Sequence, residues 1–111
     1  MAGTIPAGAF RIEVSATYNR DTISRELRRG MSLPPQIWGK VVVEEGELIL
    51  HAGADARVTP DQPGIIPPLT PYRIADTGGP VLFHIEQFHE TKLTDAALLA
   101  AQLGGSRPGA G

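Results

Sequence analysis

The stretch IWGKVVVEEGELILHA (residues 37–52) sets two apolar runs on either side of Gly46. The first run, residues 37–43, is dominated by β-branched side chains and reads as a buried strand. Gly46 is free to take positive φ, so EEGE (residues 44–47) is expected to reverse the chain. ELILHA (residues 47–52) then returns as the second arm of a hairpin.

Working outward, the same alternation of short apolar runs and turn residues continues. Upstream, Phe10, Ile12, Val14, Ala16 and Tyr18 alternate with Arg11, Glu13, Ser15 and Thr17, the period-two pattern of a half-buried strand. Downstream come the short ARVT, a PDQPG turn, and PGIIPPLTPYRI (residues 63–74), which carries four of the ten prolines. TPYRIAD reads as a strand, TGGP (residues 77–80) as a turn, and VLFHIEQF (residues 81–88) as a further strand. Strands at intervals of roughly 8–12 residues, punctuated by Gly and Pro, indicate an all-β sandwich or barrel.

Two segments differ in kind. DTISRELRRG (residues 21–30) predicts one or two helical turns, capped by Asp21 and ended by Gly30. TDAALLAAQLG (residues 94–104) predicts a short C-terminal helix whose Leu98, Leu99 and Leu103 need burial on the sheet or on a second subunit. The final GGSRPGAG (residues 104–111) offers nothing apolar to bury and is expected to be disordered. A chain of 111 residues has room for one core, so residues 1–103 are expected to form a single domain.

Composition excludes several function classes. Ten Lys plus Arg against twelve Asp plus Glu give a net charge of −2 with no long run of one sign, so neither nucleic acid nor a membrane surface is an expected partner. With no cysteine there are no disulfides, thiolate metal sites or cysteine nucleophiles. Neither a signal-peptide pattern nor a long apolar span is present, and a cytoplasmic location is expected. The motifs of serine hydrolases, P-loop proteins, dinucleotide-binding folds and helical zinc proteases do not occur.

The residues with chemical potential are few. In VLFHIEQF, period two places Val81, Phe83, Ile85 and Gln87 on one face and Leu82, His84, Glu86 and Phe88 on the other. His84 and Glu86 therefore share a face, where they can pair with each other, share a metal, or act as acid and base. His51 and His89 read as strand-end residues. Arg25, Arg28 and Arg29 form a basic cluster able to meet an anion or a carboxylate on another strand. Trp38 reads as a core anchor.

WGKVVVEEGELIL (residues 38–50) together with PGIIPPLTPYRIADTGGPVLFHIEQF (residues 63–88) resembles the hairpin and second conserved motif of cupins. DTISRELRRGMSLPPQIWG (residues 21–39) resembles the D-T-L-P-x-x-L-R-x-x-H segment of the small tellurite-resistance-type cupins, the family of the TehB N-terminal domain. The resemblance implies a double-stranded β-helix, a jelly-roll barrel with its site inside. It also implies that a Pro-containing turn aims the next strand into the barrel.

This chain departs from the family at the metal ligands. Family histidines fall at Met31, Leu33 and Tyr72, and a turn glycine falls at Leu69, whereas the acidic residue of the last motif is kept at Glu86 with His84 beside it. The expectation is therefore an all-β cupin barrel with a short C-terminal helix, forming a homodimer and binding a small molecule without a tightly held metal or other cofactor. Its ligand-binding residues are expected to be Met31, Trp38, Tyr72, His84 and Glu86. The resemblance implies a role in stress or tellurite-type resistance. The alternative is a metal-dependent oxygenase, isomerase or lyase using His84 and Glu86 with His51 or Tyr72.

Overall fold

The computed structural model describes residues 5–90, and the all-β class expected from the sequence is what it shows. Six strands and one short helix follow in the order β1 (Phe10–Val14), β2 (Tyr18–Asn19), α1 (Arg25–Arg29), β3 (Ile37–Ala52), β4 (Ala54–Val58), β5 (Gly64–Ile66) and β6 (Arg73–His89). The sheet runs β1-β6-β3-β4, with β2 beside β6 and β5 beside β3. The helix expected over residues 94–103 and the tail at residues 104–111 lie outside the described residues. Among the described residues, no helix is long and apolar enough to cross a membrane.

The centre of the fold is a two-stranded ribbon. β3 and β6 pair antiparallel from Ile37 opposite His89 to His51 opposite Arg73. This corrects the hairpin expected at residues 44–47: the chain does not reverse at Gly46 but runs on as one 16-residue strand. The positive φ of Gly46, +80°, makes a bulge instead of a turn, and the register shifts on both sides of it. TGGP likewise does not reverse the chain. Residues 77–80 bulge out of β6 opposite Glu47, with Gly78 at φ +95°, and the strand then resumes its direction.

These bulges change the phase of the side-chain alternation. On β3 the buried residues are Val41 and Val43 before the bulge but Leu48 and Leu50 after it; on β6 they are Ile74 before and Val81, Phe83 and Ile85 after. A one-residue slip sends alternate side chains to the opposite face, so the paired slips keep both halves of the ribbon facing one interior. Val58, Ile66, Tyr72, Ile23, Leu27 and Leu33 complete that core.

Around it, the local signals have clear physical causes. The Ser24 hydroxyl, not Asp21, caps α1, accepting from the Leu27 N–H at 3.2 Å, and the Gly30 N–H closes the helix on the Glu26 carbonyl at 2.9 Å. Arg28 then binds Asp76 at 3.0 Å and the Arg20 carbonyl at 2.7 Å, fixing the helix to β6 as the basic cluster allowed. Strand β1 differs from its expectation. A register shift between Arg11 and Glu13 breaks its alternation, and Ile12 and Val14 are each 48% exposed on the outer edge of the sheet.

Candidate functional site

The proline-rich segment positions the first half of the site. After β5, the chain passes Pro67 and Pro68 to Leu69, whose φ of +60° is in the left-handed region where the family resemblance places glycine. The Leu69 N–H donates to the Leu33 carbonyl at 3.0 Å, and Pro71 then delivers Tyr72. Tyr72 and Met31 exchange two backbone hydrogen bonds, of 2.7 and 2.8 Å, as an isolated antiparallel bridge. With proline limiting φ at four positions here, the segment has few alternative paths to this bridge.

Tyr72 is 4% exposed and Met31 is 40% exposed. The phenol donates to the Met31 sulfur at 3.9 Å. Burial first, and then the neighbouring Tyr18 phenol, push the Tyr72 hydroxyl above the ordinary tyrosine range, so it stays protonated. Tyr72 and Met31 line a cleft of about 340 Å³. Leu27 and Ile85 give it apolar wall, Tyr18 a second phenol, and Glu13, Glu26, Gln87, Ser15 and Ser24 its polar groups. Among the described residues, no Lys, Arg or His lines it. Among the described residues, the side chains of Glu13, Glu26 and Gln87 make no hydrogen bond or ion pair.

His84 and Glu86 lie elsewhere. As the alternation of residues 81–88 predicts, they leave the face of Phe83 and Ile85 and stand on the outside of the sheet, opposite Val42 and Lys40 of β3. Trp38 belongs to this outer face, opposite Phe88, and its indole N–H donates to Glu90 at 3.2 Å. The five residues expected to form one pocket therefore divide between two faces: Met31 and Tyr72 inside, Trp38, His84 and Glu86 outside. The physical reason is parity, since Gln87 and Ile85, not Glu86, share the inner face with Tyr72.

On the outer face His84 bridges two strands. Its Nδ1 is 2.9 Å from Glu44 and its Nε2 3.0 Å from Glu86, while Arg11 reaches Glu86 at 3.8 Å. Burial is the largest single influence on the imidazole and lowers its pKa, but the hydrogen bonds and charges of Glu86 and Glu44 together outweigh it. The net direction is upward from the ordinary histidine value of 6.5.

The metal implied by the family resemblance does not fit these residues. Leu33 is buried hydrocarbon in the core, the Tyr72 phenol is held protonated, and both ring nitrogens of His84 are taken by carboxylates. His51 pairs with Asp55 at 2.5 Å and shares a second cleft, of about 190 Å³, with Tyr72, but neither His84 nor Glu86 lines it. Among the described residues, no group of three or more His, Asp or Glu side chains is arranged to hold a metal ion.

No family model and no curated protein matches the sequence. Among solved structures, the chain is similar to a protein from E. coli (strain K12), with a TM-score of 0.70 and 14% identity over 82% of this chain and 100% of that one. It is also similar to TehB from Haemophilus influenzae, with a TM-score of 0.70 and 13% identity over 87% of this chain and 41% of that one. At these identities the likeness is one of fold. The chain spans less than half the length of TehB.

Sequence reasoning missed Glu13, Glu26 and Gln87 as site residues. Gln87 was legible in the strand alternation, which places it with Ile85. Glu13 was not, because the shift in β1 reverses the face that its alternation implies.

The His84 bridge has a definite pH signature. A group whose pKa is raised on folding adds stability that is fully present below its unfolded value, here about 6.5, and is lost as pH rises through the raised folded value. Urea unfolding should therefore show stability falling as pH rises above about 6.5 in the wild type. In His84→Gln that fall should flatten; an unchanged slope would show that the bridge does not contribute.

Proposed function

We propose that this protein is a cupin-type small-molecule-binding domain whose ligand sits in the cleft between β1, α1 and the Met31–Tyr72 bridge. One observation carries the reading: the cleft combines a buried phenol, a thioether and apolar wall with carboxylates and an amide that no other group engages among the described residues. Concave, mostly apolar sites with a few convergent polar groups are what small ligands occupy. The fold likeness to part of TehB supports the cupin assignment suggested by the sequence resemblance. A stress or tellurite-type role enters this proposal as handling of a small organic molecule, because two carboxylates with no lining cation among the described residues repel an oxyanion.

The reading favours binding over metal-dependent catalysis. The groups that the enzyme alternative requires are split between the two faces of the sheet, and His84 is committed to holding Glu44 and Glu86.

We also propose a cytoplasmic homodimer. Ile12 and Val14 are large apolar side chains exposed on β1, an edge strand, and the edge left unpaired among the described residues can pair with the same strand of a second copy.

A thermal-shift screen of small polar and amphiphilic compounds should give hits, and Tyr72→Phe should keep the fold because volume is conserved. Binding of a hit to that variant should weaken by about 0.5–1.5 kcal/mol, the contribution of one hydrogen bond. Hits whose affinity ignores Tyr72 would place the ligand elsewhere. In sedimentation velocity, the wild type should run as a dimer and Val14→Glu as a monomer; a monomeric wild type would remove the dimer proposal.

A further inference from the structure

The lining of the cleft has a sign. Glu13 comes from β1 and Glu26 from α1, so two carboxylates on separate elements reach one space of about 340 Å³ that, among the described residues, no cationic side chain lines. An anionic ligand would meet repulsion there, and a neutral one would gain nothing from either charge. A second observation concerns another lining residue. Tyr72 is more than nine-tenths buried, yet among the described residues its hydroxyl has no partner beyond the Met31 thioether at 3.9 Å, a weak acceptor.

Compact and diffuse cations make different demands. A hard metal ion needs several oxygen donors converging at short range, and the described residues offer no such group. A diffuse organic cation needs carboxylates at a few ångströms, aromatic rings and polarisable atoms against its alkyl groups. Tyr18 and Tyr72 supply the rings, Met31 the sulfur, and Glu13 and Glu26 the charge. Tyr18 is itself held in place, its ring tilted against Phe83 with centroids 5.4 Å apart.

We infer that the cleft recognises a small organic ammonium ion, with its cationic head between the Glu13 and Glu26 carboxylates and its alkyl groups against Tyr18, Met31 and Tyr72. The cleft volume is at the lower end of ligand pockets, which fits a compact head on a short polar body. Gln87, whose amide makes no hydrogen bond among the described residues, is placed to bond that body. This inference rests on the cleft being the ligand site and adds the class of ligand.

Three probes of one shape separate the two claims: choline, its neutral carbon analogue 3,3-dimethylbutan-1-ol, and the anionic 3,3-dimethylbutanoate. They are titrated at constant ionic strength into the full chain, following the aromatic resonances of Tyr18 and Tyr72 and the methyl resonance of Met31. Choline should move these signals and bind at least about tenfold more tightly than the neutral analogue, the combined effect of the two carboxylates and the rings. Glu13→Gln and Glu26→Gln, both surface changes, should each weaken choline by roughly threefold to tenfold and leave the neutral analogue unchanged. If the neutral or anionic probe binds at the same resonances as tightly as choline, the cleft stands as a ligand site and the ammonium inference falls. If choline binding ignores both Gln variants, the inference also falls. If none of the three probes moves these resonances, the ammonium inference falls, and the cleft reading rests on the Tyr72-dependent hits of the wider screen.

Discussion

A Cβ added to Gly46 would stand 2.1 Å from the carbonyl oxygen of Pro80, closer than real atoms approach. At this point the two long strands touch backbone to backbone, and at this point both leave their regular register. Most of the molecule depends on that contact. Tyr72, just before β6, and Gln87, near its end, line the same cleft. Along a straight strand their separation of fifteen residues would be about 50 Å. The ribbon has to double back, and the glycine bulge in β3 opposite the excursion at residues 77–80 of β6 is the place where it does so.

Folding the ribbon gives the sheet an inside and an outside with different chemistry. Inside, the phase change keeps Val41, Val43, Leu48 and Leu50 in one core and leaves the cleft at its edge, where β1 and α1 bring carboxylates to a buried phenol. Outside, Trp38 stands opposite Phe88, Lys40 opposite Glu86 and Val42 opposite His84, and His84 links Glu44 to Glu86 across the ribbon. The imidazole and carboxylate that look most like chemistry thus hold two strands together, while the proposed recognition falls to the less conspicuous inner set.

The sequence made the strand content legible because β-branched runs bounded by Gly and Pro have few other outcomes. The two faces of residues 81–88 were equally plain, since period two allows only one partition. The bend was misread because a glycine with positive φ serves a reversing turn and a bulge alike; only the partner strand decides which forms. Strand β1 was misread for a related reason: one slip near Ile12 turned an apparently core-facing set outward. The single five-residue pocket failed because the family resemblance joined Glu86 to Tyr72, although strand parity had already placed His84 and Glu86 opposite Ile85 and Gln87. At Leu69 the resemblance served better, for the backbone there does take the left-handed conformation that glycine favours.

If the ribbon is held by the approach of Gly46 to Pro80, positive φ alone should not account for what that glycine does. Gly53 separates the two effects, because it has nearly the same φ, +83° against +80°, with nothing near its missing Cβ. The decisive measurement is urea unfolding of Gly46→Ala beside Gly53→Ala. The account predicts a loss of about 1 kcal/mol for Gly53→Ala, from backbone conformation only, and about 3 kcal/mol or more for Gly46→Ala, where backbone must move apart. Equal losses in the two variants would contradict it.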